Sequence, residues 1–148
     1  IPLVIAHPDY QAPGTACDEF VYLQEVMLSA LDAAGREVPA HLDGQSFLPA
    51  IEGRAYQNGR EEVYCVFDRH FTVANQRMVR TRTHQLTFNS CDTGELYDLV
   101  EDPYQLHNRY TDSDYEDVRL DLMARMERYM VDLKDPLYRW FKRLSAVY

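Results

Sequence analysis

The sequence lacks several features that would assign it to a common class of protein. No apolar run approaches the roughly 18 residues that a membrane-spanning helix needs. Positive charge is scarce, because 15 lysines and arginines stand against 24 acidic residues, and the net charge of −9 argues against binding to nucleic acid. With 46% hydrophobic and 26% charged residues, the 148-residue chain has the composition of a soluble globular protein.

Cysteine is also sparse. Cys17, Cys65 and Cys91 are an odd number at unrelated spacings, and no C-x-x-C pair occurs, so neither a disulfide framework nor a structural zinc site is predicted. This usage favours a cytoplasmic location. No secretory signal is visible. A periplasmic or secreted location stays open, because the chain does not begin with Met.

Motifs for catalysis are missing as well. No serine lies in a G-x-S-x-G context, no histidines have H-x-x-x-H or H-x-H spacing, and no phosphate-binding glycine loop occurs. Two histidines still merit attention. His70 lies between two predicted strands, where it is either a substrate contact facing a cleft or a plain loop residue. His7 follows an apolar run, at the position where open α/β sheets place ligand-binding groups.

The first part of the chain predicts a strand and a helix. Residues 1–5 (IPLVI) form a continuous apolar run, which is typical of a parallel strand covered on both faces. Such a strand needs neighbours earlier in the sequence, so we expect the chain to start in the middle of a larger fold. Asp18 is the predicted N-cap of a helix whose apolar residues recur at three- and four-residue steps until Gly35 stops it.

From about residue 61 the pattern changes to short strands that are rich in β-branched and aromatic residues. The predicted strands are residues 63–67, 77–82, 84–88 and 95–99. Arg82 and Thr83 form the predicted hairpin link between the middle two. We therefore expect a small antiparallel sheet of about four strands.

Two helices are predicted after this sheet. Ser113 and Glu116 match a capping box at the start of the first, and its apolar stripe extends to Leu133. Asp135 and Pro136 begin a short final helix.

Five segments, in collinear order, resemble the C-terminal part of the sulfatase family within the alkaline-phosphatase superfamily. The most specific is ELYDLVEDPYQLHN, which is similar to the family pattern E-L-Y-D-L-x-x-D-P-x-E-x-x-N. The others are IPLVI with its following proline, the VYLQ…LDAAG helix, DGQSFLP and RMVRT. The five matching segments are residues 1–8, 21–35, 43–49, 77–81 and 95–108.

The resemblance implies an α/β fold with an α+β C-terminal subdomain. Residues 1–55 would be the tail of the catalytic α/β domain, with its last parallel strand and helix. Residues 56–148 would form the small antiparallel sheet, packed against a long helix. Glu25, Leu28 and Ser29 stand where the family usually has Asp, Pro and Thr, which we interpret as drift at packing or surface positions.

The resemblance also implies a sulfate-ester hydrolase whose reacting groups lie outside this chain. The family's nucleophile is a formylglycine made from the Cys of a C-x-[P/A]-x-R motif. Cys65 has an arginine at the right step, but Phe67 replaces the small residue or proline. Calcium or another divalent cation and formylglycine are thus implied for the full-length enzyme, with no catalytic residue and no metal ligand in this chain, which alone is expected to be inactive.

Within that picture, loops around His70, Asn75 and Gln76 form the predicted substrate wall, with His7 as a further candidate contact. The expected partners are the upstream catalytic portion and a sulfated small molecule or sugar. Nucleic acid and membrane are not expected, and a homo-oligomer stays open. Two alternatives remain: a phosphodiesterase or phosphonate monoester hydrolase of the same superfamily, and a non-catalytic interaction module derived from a sulfatase tail.

Overall fold

The computed structural model describes residues 3–8, 14–68 and 74–145. The chain divides into two compact units, residues 1–60 and residues 61–148. None of the helices in the described ranges has the length and apolar character to cross a membrane. The assignment of the first unit to a larger catalytic domain stays a prediction.

The described residues of the first unit form helices and no strand. Leu3, Val4 and Ile5, which were predicted to lie in a buried strand, have no strand pairing and are exposed, Val4 to 91%. A strand needs a hydrogen-bonding neighbour, and the four strands among the described residues all belong to the sheet of the second unit. The described residues of this segment therefore form no strand within this chain, and the predicted pairing with strands outside it stays a prediction.

Helix α1 spans Glu25–Ala33 and is followed by the short helix α2, Leu48–Ile51. The N-cap of α1 is Gln24, so the predicted start at Asp18 is wrong. The predicted stop is confirmed. Gly35 adopts a positive φ of 64°, and the Arg36 N–H reaches back to the Leu31 carbonyl at 2.9 Å, which closes the helix in the left-handed manner that glycine permits.

A buried carboxylate organises the first unit. Glu25 is fully buried, and its oxygens accept hydrogen bonds from the backbone N–H of Tyr22 at 2.7 Å and of Gln45 at 3.0 Å, and from Arg60 Nη2 at 2.8 Å. Burial by itself raises the pKa of Glu25, but these hydrogen bonds outweigh it and hold the pKa below 4.5. Gly44 packs so closely that a Cβ there would lie 2.7 Å from the Glu25 Cγ.

Glu25, Leu28 and Ser29, which depart from the usual family residues, form part of this packed network. Leu28 and Ser29 are 1% and 2% exposed. The Ser29 hydroxyl donates to the Glu25 carbonyl at 2.8 Å and accepts the Phe47 N–H at 2.9 Å, so it ties α1 to the start of α2. These positions are packing positions, and none of the three is on the surface.

The second unit contains the predicted antiparallel sheet. Its strands are β1 (Glu62–Asp68), β2 (Asn75–Thr81), β3 (His84–Asn89) and β4 (Glu95–Asp98), in the order β1-β2-β3-β4. Each strand begins and ends within two residues of its predicted position, and the link at Arg82 and Thr83 is confirmed. Alternation places Val79, Leu86 and Leu96 on one face, where they pair across the strands and are almost fully buried.

Two helices cover that face. Helix α3 spans Glu116–Asp132 after a 3-10 turn, Ser113–Tyr115, and helix α4 spans Tyr138–Ser145. The 3-10 turn is capped by Asp112, whose side chain accepts the Asp114 N–H at 3.1 Å, and the N-cap of α3 is Tyr115, which makes no side-chain cap bond. The predicted capping box at Ser113 is therefore wrong.

The apolar stripe of α3 supplies much of the core. Leu122, Met126 and Met130 are buried, whereas Leu133, the predicted end of the stripe, is 62% exposed. The Tyr64 ring stacks on Tyr129 at 5.0 Å, and Phe88 meets Phe141 of α4 edge-on at 5.2 Å. These contacts fix both helices on the sheet.

Candidate functional site

The end of the sheet where β1 and β3 finish and β2 begins is lined by polar side chains. The register pairs Asp68 with Asn75, and Gln76 with Asn89. The Gln76 amide donates to Asn89 Oδ1 at 2.6 Å, and the Asn89 amide donates to the Thr93 carbonyl at 2.9 Å. Planar amides held in this way have a defined orientation, which suits recognition of a polar ligand.

Backbone and side-chain bonds also clamp the first residue of β2 to the end of β3. The Asn75 N–H donates to Ser90 Oγ at 2.9 Å, and the Ser90 N–H donates to the Asn75 carbonyl at 3.0 Å. Ser90 is 7% exposed. The polar end of the sheet is therefore a rigid edge.

Behind this edge lies a buried ionic cluster centred on Arg77. Its guanidinium is 1% exposed and binds both oxygens of Asp135, with Nε at 2.6 Å from Oδ2 and Nη2 at 3.0 Å from Oδ1. Nη1 binds Asp68 Oδ1 at 2.7 Å, and the Tyr64 hydroxyl donates to Asp135 Oδ2 at 3.0 Å. One arginine thus connects β1, β2 and the turn between α3 and α4.

The electrostatics of the cluster are set by burial and by these bonds. Burial by itself raises the pKa of the Asp135 carboxyl, but hydrogen bonds from Arg77, the Leu137 N–H and Tyr64 hold it below 3.8. Burial and then the Asp135 carboxylate raise the pKa of the Tyr64 hydroxyl. Asp135 is therefore ionised and Tyr64 is a neutral donor at neutral pH.

The described ranges contain no group of three or more His, Cys, Asp or Glu that could hold a metal ion. Cys65 lies inside β1, as the sequence predicts, and desolvation raises the pKa of its thiol. Because these residues do not fit a divalent cation or a formylglycine precursor, we derive no chemical step through either group.

The predicted site residues are placed as follows. Gln76 is half-buried at the polar end of the sheet. His70 lies outside the described residues. His7 is exposed in the first unit. A substrate-binding role for each of the three stays a prediction.

Sequence reasoning missed the ionic cluster. The sequence predicts Arg77 only as the first residue of a strand and of the matching segment RMVRT, and Asp135 only as the start of a helix. A signal was present, since Arg77 lies two residues from Val79 and alternation therefore puts it on the buried face of the sheet. An arginine on such a face requires carboxylate partners, although the sequence does not say which ones.

Comparison with known proteins identifies the family. Residues 1–132 match the family model described as "N-sulphoglucosamine sulphohydrolase, C-terminal". The chain therefore belongs to this family of sulfatase C-terminal portions, and the predicted resemblance is confirmed.

Two curated relatives extend the match. An uncharacterized protein from Haemophilus influenzae is 35% identical over 128 residues, which cover 86% of this chain and 65% of that protein. An ulvan-active sulfatase from Formosa agariphila is 25% identical over 163 aligned positions, which cover 88% of this chain and 32% of that enzyme. The chain thus spans about two thirds of the first relative and one third of the second.

Solved structures confirm the fold class. A 2-O GAG sulfatase superposes with a TM-score of 0.66 and 27% identity, over 77% of this chain and 25% of that one. The phosphonate monoester hydrolase of Agrobacterium radiobacter shares the fold, with a TM-score of 0.60 and 24% identity, over 73% of this chain and 24% of that one. The four-stranded sheet with its helices accordingly has the fold of the sulfatase C-terminal subdomain.

Proposed function

We propose that the full-length protein hydrolyses sulfate esters, with a sulfated sugar as substrate, and that this chain supplies a scaffold and one wall of the substrate pocket. The observation that carries the proposal is the match of residues 1–132 to the sulfatase C-terminal family. Relatives named for sulfatase activity on ulvan and on a GAG support a sugar substrate.

The wall in this proposal is the polar end of the sheet. Gln76 and Asn89 offer amide groups in fixed orientations, and Asn75 is clamped to Ser90 beside them. Side chains of this kind hydrogen-bond the hydroxyl groups of a sugar. The nucleophile, which we propose to be a formylglycine, and a divalent cation such as calcium belong to the upstream portion.

The experiment is to assay the full-length gene product with a 4-nitrophenyl sulfate and with sulfated oligosaccharides. Gln76→Ala should lower kcat/KM for the oligosaccharide by about tenfold, as expected when one buried hydrogen-bonding partner of a substrate is removed. Gln85→Ala is the matched control, because Gln85 also lies half-buried on the same sheet face but bonds Arg80 and Gln105. Equal losses in both variants would refute the assignment of the wall.

A second candidate activity, favoured by the shared fold, is the hydrolysis of phosphonate monoesters or of phosphodiesters. Parallel assays with an aryl phosphonate monoester and an aryl sulfate separate the two. The 148-residue chain alone should turn over neither ester, and measurable turnover would contradict the proposal that the reacting groups lie upstream.

A further inference from the structure

Helix α4 presents an exposed face made of two arginines and a tryptophan. Arg139, Trp140 and Arg143 lie one, three or four residues apart, so they share one side of the helix, and all three are exposed. Phe141, which is 2% exposed, anchors the opposite side in the core. We call the three exposed residues the α4 surface.

The indole ring of Trp140 is fixed in position although it is exposed. Its Nε1–H donates to the Ser90 carbonyl at 2.9 Å, while the residue remains 43% exposed. The guanidinium of Arg143 lies 5.9 Å from the ring centroid. An oriented indole beside a cation can stack on a saccharide ring while the cation binds an anionic substituent of that saccharide.

The α4 surface is basic in an acidic chain. The chain carries a net charge of −9, yet α4 contains Arg139, Lys142 and Arg143 and no acidic residue. Lys142 pairs with Glu127 at 2.9 Å. Within the described ranges, neither arginine forms a salt bridge, so both guanidinium groups have donors available for an external anion.

The location links this surface to the candidate wall. Trp140 is held by Ser90, and Ser90 is clamped to Asn75, the residue next to Gln76. The α4 surface therefore lies by the same end of the sheet as the polar amides. The family model matches residues 1–132, so α4 lies outside the matched residues.

We propose that the α4 surface binds a sulfated saccharide, with one sugar ring stacked on Trp140 and a sulfate group bound by Arg139 and Arg143. This inference rests on the proposed function, because it assumes the same sugar substrate and places a part of it on the α4 surface, beyond the pocket wall. A sulfated saccharide satisfies both the apolar face of the indole and the two cations, whereas an anion without a ring satisfies only the cations.

The test is direct binding to the 148-residue chain, followed by the fluorescence of its single tryptophan. The probes are a sulfated hexasaccharide prepared from heparin, the same hexasaccharide after desulfation, and linear polyphosphate of equal charge. We expect the sulfated hexasaccharide to shift the Trp140 emission and the desulfated one to bind at least about tenfold more weakly, because the charge-assisted bonds to the arginines are lost.

Variants, compared by calorimetry, assign the contacts. Arg139→Gln and Arg143→Gln should each weaken the hexasaccharide about fivefold. Lys142→Gln, which removes the same charge from another side of the helix, should change binding less than about twofold. Trp140→Ala should weaken the hexasaccharide about tenfold without weakening polyphosphate. If Trp140→Ala does not fold, Trp140→Phe is used instead. This variant keeps an aromatic ring and should retain most of the affinity.

Three outcomes would overturn the inference: equal losses in Lys142→Gln and Arg143→Gln, equal effects of Trp140→Ala on the hexasaccharide and polyphosphate, or tighter binding of a DNA duplex than of the hexasaccharide. Because the assay measures binding to this chain, its failure is distinct from a failure of the full-length protein to hydrolyse sulfate esters.

Discussion

Replacing Asp135 by Asn should destabilise the second unit more than replacing Asp68, the other carboxylate partner of Arg77, by Asn. The side chain keeps its shape, so no cavity forms, but the carboxylate that binds Arg77 through two hydrogen bonds is lost. Arg77 then stays buried with only Asp68, which is half exposed, as its carboxylate partner.

The magnitude follows from this loss of compensation. Leaving a buried charge without its partner costs about 3–5 kcal/mol, and the remaining bond to Asp68 puts the expected value near the lower end, at about 3 kcal/mol. With a urea dependence of about 1.5 kcal/mol per molar for a unit of this size, the unfolding midpoint should fall by about 2 M.

The assay is urea unfolding followed by the fluorescence of Trp140, the only tryptophan, which lies in the second unit and so reports its unfolding. Asp68→Asn is the control, because its side chain is 53% exposed and its pairing should contribute about 1 kcal/mol or less. A loss below about 1 kcal/mol for Asp135→Asn, or an equal loss for Asp68→Asn, would refute the reasoning.

Two further predictions concern packing and pH. Gly94→Ala should cost about 1–3 kcal/mol, because a Cβ there would overlap the buried ring of Tyr110; an unchanged urea midpoint would contradict this. The carboxyls of Asp135 and Glu25 have pKa values below their ordinary 3.8 and 4.5, so the stability they contribute is complete above those values and is lost as the pH falls through the lowered ones. Circular dichroism should show melting temperatures that fall below about pH 4.5, and equal melting temperatures at pH 6 and pH 3 would exclude this linkage.

The sheet could be predicted from sequence because its signals are local. Alternation of β-branched and aromatic residues, together with the link at Arg82 and Thr83, places each strand within two residues. Helix starts were less predictable. Asp18 and Ser113 are suitable caps by residue type, but Glu25 and Asp112 have the contacts that fix where the turns begin.

The candidate site was predictable only in part. Gln76 was selected from its place beside a predicted loop, and it lies at the polar end of the sheet. The Arg77 cluster joins residues up to 71 positions apart, and such pairing is set by tertiary packing that no local pattern contains. The apolar run at residues 3–5 forms no strand within this chain for a similar reason, since a strand is defined by its neighbours and the predicted ones lie outside these residues.

The balance of charge around Arg77 has an evolutionary consequence. Three segments of the chain share one buried cation. A neutral residue at position 77 would leave Asp135 buried without its cation. A neutral residue at position 135 would leave Arg77 with only one of its two carboxylate partners. Each single step passes through a less stable intermediate. Substitutions at these positions are therefore expected to become established together, so that descendants of this protein keep the whole cluster or replace it as a unit.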